Sequence, residues 1–288
     1  MKYYHVDVFS SRPMSGNGLT VVFADKDIEN AQMLEITQEF RQFETAFIFP
    51  QNSTGAYPLR IFTMQEELPF AGHPVLGAAA VVHRVFRFQE EQAQISLDLS
   101  GRQLRIESLC KNNLHTETMN QGKPECIRQT DHAYYKQIAG WLSLRENGLE
   151  TDLPVEVIST GLPYLIVPVR DIEHARISGK GFEAFLDSLG AKFVYVFDPQ
   201  TLECRTWDND GLAEDVATGS AAGPLCAYLV RHGIKKQGEV IRLKQGRHVG
   251  RPSEMEGWME DGNVFIRGGV SFFALGELFW QRNFGGAL

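Results

Sequence analysis

Two segments of the sequence place glycine beside side chains that can transfer a proton. Gly72 precedes His73 in the first segment, and Gly219 follows Asp215 and precedes Ser220 in the second. Imidazole and carboxyl groups act as general acids and bases, and a hydroxyl binds polar ligand groups. Both segments continue into small, apolar residues that predict a helix, whose first N–H groups and positive dipole end attract a carboxylate. These residue types predict acid–base chemistry on a small carboxylate, or the binding of one.

Each of these residues also fits a purely structural role. Gly72 and Gly219 allow tight turns into buried helices. His73 suits a capping or hydrogen-bonded core histidine, and Asp215 and Ser220 belong to the residue types preferred at helix N-termini. The residues alone leave both interpretations open.

Glu44 is a further candidate because it lies between Phe43 and Phe47. A carboxyl group among apolar side chains holds a proton more readily than an exposed one, which suits a group that takes up a proton and returns it. Glu66 and Glu67 compete for the same role. A solvated surface carboxylate is the alternative interpretation of Glu44.

The elements that would position these groups are short strands and a few helices. Residue patterns predict strands at 6–9, 19–23, 46–49, 59–63, 95–99, 103–106, 155–159, 165–169, 193–197, 203–207, 255–259, 264–267 and 271–280. They predict helices at 28–43, 132–141 and 182–189. The segments 71–82 and 218–230 are apolar on all sides, which is typical of buried helices. Their similarity suggests that each half of the chain wraps a sheet around one central helix.

The length of 288 residues favours two domains, at roughly 100–200 residues per domain. The segment 111–130 is polar and has little periodicity, so we place the boundary within it. We expect an N-terminal domain at 1–115 and a C-terminal domain at 116–277. A last strand at about 278–288 is a candidate completion of the first domain.

Composition excludes several classes of protein. Lys and Arg number 28 against 36 Asp and Glu, and this net charge of −8 disfavours a nucleic-acid partner. We expect no membrane partner and a cytoplasmic location, because no apolar leader or membrane-length apolar run is present. The spacing of Cys110, Cys126, Cys204 and Cys226 predicts reduced thiols. Nucleotide-binding glycine motifs, a hydrolase serine elbow and paired metal-binding histidines are all missing, so we expect no cofactor and no metal.

Three segments, in order along the chain, resemble the signatures of the PhzF-like family, the phenazine-biosynthesis isomerase and its relatives: 43–47, 69–74 and 214–221. Similarity to the same family extends over 6–9, 16–17, 159–163 and 250–253. The resemblance implies an α+β, diaminopimelate-epimerase-like fold of two similar domains, each a curved, barrel-like mixed sheet around a central helix. It also implies an active site in the cleft between the domains, a homodimer and no cofactor.

The resemblance assigns catalytic roles to Glu44, His73 and Asp215. The substrate's polar groups are expected to be bound by residues at the two helix starts: Gly72, Thr218, Gly219 and Ser220. Where related epimerases carry two catalytic cysteines, this chain has Ala71 and Val216, which cannot carry a proton.

The sequence departs from the family pattern at three positions. Phe43 replaces a serine before the glutamate, Val216 replaces a proline after the aspartate, and Gly18 follows Asn17 where proline is common. Because the bulky side chain of Phe43 lies beside the candidate catalytic carboxylate, the family resemblance does not identify which substrate this chain accepts.

The sequence therefore predicts a cofactor-independent isomerase that acts on a small carboxylate-bearing metabolite. Glu44 would remove a proton from an activated carbon and return it elsewhere on the conjugated system. One alternative is an epimerase or racemase that uses Glu44 opposite Asp215 or His73. Another is a non-catalytic relative that binds a small molecule.

Overall fold

The chain forms two units, each built of strands around one buried helix, in a computed structural model that describes residues 1–279. Within the described residues, unit 1 comprises Met1–Met14, Gly18–Glu117 and the chain from Val270 to Phe279, and unit 2 comprises Ser15–Asn17 and Thr118–Gly269. Most of the strand expected at about 278–288 falls outside the described residues.

The helices and strands follow one another from the N-terminus as β1 (Lys2–Val8), β2 (Asn17–Phe23), α1 (Asn30–Phe40), β3 (Glu44–Ile48), β4 (Tyr57–Thr63), β5 (Glu67–Leu68), α2 (Gly72–Phe86), β6 (Gln92–Leu99), β7 (Arg102–Lys111) and β8 (Leu114–Gly122). The chain continues with β9 (Glu125–Gln129), α3 (Tyr135–Trp141), β10 (Glu156–Ser159), β11 (Pro163–Pro168), α4 (Phe182–Leu189), β12 (Phe193–Phe197), β13 (Cys204–Arg205), α5 (Gly219–Arg231), β14 (Ile241–Gln245), β15 (Ser253–Glu260) and β16 (Asn263–Glu277). Short 3₁₀ helices lie at His132–Tyr134, Glu146–Gly148 and Arg247–Val249.

Unit 1 is a closed barrel around α2. Its strands pair in the order β1-β2-β3-β4-β6-β7-β8-β16, and β16 pairs back onto β1. Helix α2 fills the interior, with every residue from Gly72 to His83 buried. Small residues on α2 let the wall approach closely: a Cβ on Gly77 would lie 2.5 Å from a methyl carbon of Leu19.

Unit 2 surrounds α5 with two sheets. A five-stranded sheet has the order β13-β12-β11-β10-β9, and β14, β15 and β16 form an antiparallel run. Helix α5 packs against β10, β11 and β15, and a bridge between Glu203 and Lys244 joins β13 to β14. A Cβ on Gly257 would lie 2.4 Å from the Cys226 sulfur, so glycine is required for this packing. The expected α+β architecture, with a curved sheet around a central helix in each half, is confirmed.

The segment 111–130 contains β8 and β9, which the sequence did not indicate. The physical reason is that β8 turns polar side chains inward: His115, Glu117 and Gln121 are buried, with Met119 between them. When the buried residues of a strand are polar, its sequence lacks the alternation of apolar and polar residues that predicts a strand. Strands β15 and β16 are joined by a tight hairpin turn, with Glu260 paired to Asn263 across it.

The buried polar residues of unit 1 form a chain of hydrogen bonds near the C-terminal end of α2. His83 Nε2 lies 2.9 Å from the carbonyl oxygen of Glu90, and its Nδ1 lies 2.6 Å from Ser108 Oγ. Ser108 Oγ lies 2.7 Å from Oε1 of Glu117, which is fully buried. Burial raises the pKa of Glu117 to about 8, and burial together with the nearby Arg84 lowers the pKa of His115 to about 4.

The hydrogen-bond chain has a consistent neutral arrangement. Because a carbonyl oxygen only accepts, His83 must carry a hydrogen on Nε2, and Nδ1 of the neutral ring then accepts from Ser108. The Ser108 oxygen is thereby left to accept from the protonated carboxyl of Glu117. A neutral Glu117 thus satisfies every link of the chain.

Candidate active site

Glu44 is placed by the sharp end of helix α1. The helix ends at Phe40, and Arg41 has a left-handed backbone with φ of 54°. The helix expected over 28–43 is therefore too long at both ends, because the chain must turn before it enters β3. Glu44 is the first residue of β3 and is half-buried, whereas the other residues of this strand are buried.

His73 meets Glu44 at the N-terminal end of α2. Nε2 of His73 lies 3.2 Å from Oε2 of Glu44, and the two side chains are only 9% and 17% exposed. The N-cap residue, Ala71, makes no side-chain hydrogen bond to this end of the helix. The positive end of the helix dipole is therefore close to the carboxylate. This contact joins a potential base to a group that can orient it or exchange its proton.

The competing carboxylates are used differently. Glu67 forms a two-point ion pair with Arg60, whose Nε lies 2.7 Å from Oε1. Glu66 is exposed, and its backbone oxygen accepts hydrogen bonds from Thr63. Of the three candidate glutamates, Glu44 is the one that the fold brings to His73.

The second group of candidate residues lies in unit 2 around Asp215. Asn17 Nδ2 donates to Asp215 Oδ1 over 3.2 Å and to the carbonyl of Ala217 over 3.1 Å. The Thr218 hydroxyl donates to Asp215 Oδ2. Both carboxylate oxygens of Asp215 therefore accept hydrogen bonds, an arrangement that stabilises the ionised form and fixes its plane. Asn17 received no role from the sequence, although it belongs to a segment that carries the family resemblance.

The loop before Asp215 is held by a buried ion pair. Arg205 Nη2 lies 2.7 Å from Glu214 Oε2, and both side chains are only 9% exposed. Arg205 also donates to the carbonyl of Ile172, and the backbone N–H of Asp215 donates to Thr206 over 3.0 Å. This part of the site is therefore rigidly supported.

Ser220 and Gly219 begin helix α5, and each contacts a residue that sequence analysis missed. The Ser220 hydroxyl lies 2.7 Å from the hydroxyl of Tyr164, and the Gly219 carbonyl accepts from Gln121 over 2.9 Å. Gln121 fits because residue 223 is glycine: a Cβ there would lie 2.0 Å from its Oε1. The alternative interpretation, in which Asp215 or Ser220 caps the helix, is not observed, because Thr218 occupies the N-cap position.

The two buried thiols are poorly suited to acid–base chemistry. All four cysteines are free, and burial raises the pKa of Cys204 and of Cys226, the latter to about 12. A thiol with so high a pKa is a poor nucleophile or base at neutral pH. Ala71 directly precedes α2, and Val216 is buried beside Asp215.

One cluster of possible metal ligands was not indicated by the sequence. Ligand atoms of Glu173, Glu203 and His248 lie within 4.8 Å of one another. The guanidinium of Arg247 bonds to both carboxylates, with Nε 2.9 Å from Glu203 Oε1. Because Arg247 already balances the acidic charge, the cluster is explained as an ion-pair network.

Comparisons with known proteins were made for the whole chain. Residues 6–270 match the family model described as phenazine biosynthesis-like protein. The chain is 30% identical over 273 residues to the trans-2,3-dihydro-3-hydroxyanthranilate isomerase of Pseudomonas chlororaphis, and the match covers 88% of each protein.

Several solved structures also resemble this chain. A protein described as a predicted epimerase from Pseudomonas aeruginosa superposes with a TM-score of 0.90 at 42% identity, over 97% of this chain and 99% of the other. A hydroxyproline epimerase from Agrobacterium vitis superposes with a TM-score of 0.59 at 13% identity, over 96% and 91% of the two chains, which shows a shared fold. Among residues 1–279, no helix has both the length and the apolar character needed to cross a lipid bilayer.

Proposed function

The chain belongs to the phenazine biosynthesis-like family and is an isomerase, and from this premise we propose that it shifts a proton on a small carboxylate-bearing substrate by acid–base chemistry. The family resemblance drawn from the sequence motifs is confirmed. The observation that carries the proposal is the 3.2 Å contact between Glu44 and His73 at the start of α2.

Glu44 is proposed as the group that moves the proton. Its carboxylate takes a proton from an activated carbon, the electron pair of that C–H bond shifts through the adjacent double bond, and the proton returns at another carbon. Substrate and product then have the same atoms and the same oxidation state. His73 Nε2, 3.2 Å from Oε2 of Glu44, would help the carboxylate keep one orientation through both transfers.

Asp215 is proposed to act on the same substrate. Its ionised carboxylate, fixed by Asn17 and Thr218, would orient a polar hydrogen of the substrate or assist proton movement. Ser220 and the backbone at Gly72 and Gly219 would bind the substrate's polar groups, the carboxylate above all. Thr218 would contribute mainly through Asp215, because that is where its hydroxyl donates.

The substrate class follows from two considerations. The named isomerase relatives act on trans-2,3-dihydro-3-hydroxyanthranilate, so this compound is the first probe. Phe43 is 49% exposed next to Glu44, and it introduces a large apolar surface where the family has serine. We therefore propose a carboxylate whose body differs from the family substrate, and a Phe43→Ser variant tests whether this residue selects it.

The decisive experiment compares wild type with Glu44→Gln. The amide keeps the size of the side chain and removes its basicity, so turnover should fall by roughly 10²–10⁴-fold, the typical contribution of a general acid–base group, while the fold persists. Thermal unfolding and circular dichroism check the fold, and the Glu67→Gln variant is the matched control. Full activity of Glu44→Gln would overturn the assignment.

An epimerase is the second candidate function, favoured by the 42% identity to a predicted epimerase. Reaction in heavy water separates the two. Deuterium that enters at one carbon with inversion identifies an epimerase, whereas deuterium at a new carbon with migration of the double bond identifies the proposed isomerase. Tight binding with no exchange would instead identify a non-catalytic relative.

We also propose that the enzyme works as a cytoplasmic homodimer. Four free thiols in the chain support a reducing location. Sedimentation velocity of the purified protein tests the dimer, which a single species near the monomer mass of 32.4 kDa would refute.

A further inference from the structure

Gln245 is a buried amide at the end of β14 that no sequence motif indicated. It is 1% exposed, and its side chain makes four hydrogen bonds in unit 2. Nε2 donates to the Asp215 carbonyl over 2.9 Å and to Thr218 Oγ1 over 3.0 Å. Oε1 accepts from the Thr218 N–H over 3.2 Å and from the Tyr195 hydroxyl over 3.0 Å. All the hydrogens and lone-pair directions that an amide offers are used.

Two of these contacts determine which atom of the Gln245 amide is the oxygen and which is the nitrogen. The Thr218 N–H can only donate, so the atom facing it must be the oxygen of Gln245. The Asp215 carbonyl can only accept, so the atom facing it must be the nitrogen. A flipped amide would place donor against donor and acceptor against acceptor at a side chain that is only 1% exposed.

The fixed amide determines where the Thr218 hydrogen points. Because Gln245 donates to the Thr218 oxygen, the hydroxyl cannot donate back to Gln245. Its one hydrogen is left for Asp215 Oδ2, the contact that the structure shows. The Tyr195 hydroxyl, which is fully buried, supports the opposite side of the amide.

We propose that Gln245 is a positioning residue that orients the Asp215 carboxylate through the Thr218 hydroxyl and the Asp215 backbone. The catalytic importance of this orientation rests on the proposed function, but the orientation itself does not.

The backbone next to Gln245 also packs against the loop that carries Asp215. Gly246 has a φ of +82°, and a Cβ there would lie 2.6 Å from the Val216 carbonyl and 2.3 Å from the Arg251 carbonyl. The end of β14 therefore lies in direct contact with Val216, the residue after Asp215. With the Asp215 N–H bound to Thr206 and its carbonyl bound to Gln245, both backbone groups of Asp215 are held.

The test observes Asp215 in the free protein and so needs no substrate. Protein with ¹³Cγ-labelled aspartate is titrated by NMR, and Asp215→Asn identifies the resonance. In Gln245→Glu the introduced carboxylate, once ionised, competes for the Thr218 hydrogen and adds negative charge. Asp215 should then titrate about one pH unit higher than in wild type. Gln245→Met, which leaves the hydroxyl free to rotate, should give a smaller rise.

Tyr228→Phe is the matched control. Tyr228 is another fully buried tyrosine of unit 2, and its hydroxyl donates to the Pro154 carbonyl over 2.7 Å. Removal of that bond should leave the Asp215 titration unchanged. If the Gln245 variants do not fold, Thr218→Val and Thr218→Ser test the same link: the first should raise the titration of Asp215 and the second should restore it.

The proposal is overturned if Asp215 titrates at its wild-type pH in folded Gln245→Glu, or in folded Thr218→Val. Once a substrate is identified, folded Gln245→Met should also lower kcat by about tenfold with little change in KM. A titration shift combined with normal turnover would support Gln245 as the orienting residue and would contradict the role of Asp215 in catalysis. The Glu44→Gln experiment is independent of both results.

Discussion

Replacement of the buried Glu117 by glutamine should make the stability of the protein depend less on pH. The carboxyl is protonated in the folded chain because its pKa is raised to about 8, whereas in the unfolded chain it takes its ordinary value of 4.5. Between these two values the folded state holds one proton more than the unfolded state. Unfolding free energy then falls by about 1.4 kcal/mol for each pH unit as pH rises.

The magnitude follows from this slope. From about pH 5 to about pH 7.5, Glu117→Gln should gain roughly 3 kcal/mol of stability relative to wild type. Near pH 5 the two proteins should be similar, because the glutamine amide donates to Ser108 as the protonated carboxyl does. The difference should stop growing above about pH 8, where wild-type Glu117 ionises within the fold.

His115 changes the pH dependence of wild-type stability in the opposite direction. Its pKa is lowered from 6.5 to about 4, so the folded state binds fewer protons than the unfolded state in this range and stability falls toward acid. Between about pH 4.5 and 6.5, the pH dependence of stability due to His115 cancels the pH dependence due to Glu117. Above about pH 6.5, only the pH dependence due to Glu117 remains. His115 Nδ1 lies 3.7 Å from Glu117 Oε1, and below about pH 8 it faces a neutral group in both proteins, so the difference between variant and wild type there reports mainly on Glu117.

Urea unfolding followed by circular dichroism measures the effect across this pH range. Glu107→Gln is the matched control on the adjacent strand β7, where the side chain is exposed, and it should show no pH-dependent difference. A constant difference between Glu117→Gln and wild type from about pH 5 to 8 would refute a neutral Glu117. A variant that loses stability relative to wild type as pH rises would show that the ionised carboxylate stabilises the fold.

Two further substitutions test the support of the second residue group. Tyr164→Phe removes the partner of the Ser220 hydroxyl; stability should fall by about 1 kcal/mol in thermal unfolding, and KM should rise more than kcat falls. Gly246→Ala adds a Cβ to a left-handed residue against two carbonyl oxygens, so stability should fall by about 2 kcal/mol or more and turnover should fall with it. An unchanged KM in the first variant, or wild-type turnover in the second, would contradict these roles.

Local patterns in the sequence were sufficient for much of the fold. Helix α4 and strand β12 have the predicted bounds, because apolar residues recur at helical spacing in α4 and β12 is a short run of β-branched and aromatic residues. The two apolar small-residue segments are the buried helices α2 and α5. Strand β8 was missed because it buries polar side chains, and the end of α1 was misplaced because a left-handed Arg41 leaves no clear signal in the sequence.

The sequence by itself determined the family, the α+β architecture and the residues most suited to acid–base chemistry. These depend on residue types and on spacings of a few positions. The family resemblance pointed to Glu44 rather than Glu66 or Glu67, and the tertiary structure supplied the contact with His73, which depends on how β3 and α2 pack.

The tertiary structure also brought in the residues that hold the site. Asn17 and Asp215 are 198 positions apart and share a hydrogen bond, and Gln245 reaches back to both Asp215 and Thr218. The protonated state of Glu117 likewise follows from complete burial. Burial and long-range partners depend on strand register and packing across the chain, which no local pattern of residues encodes.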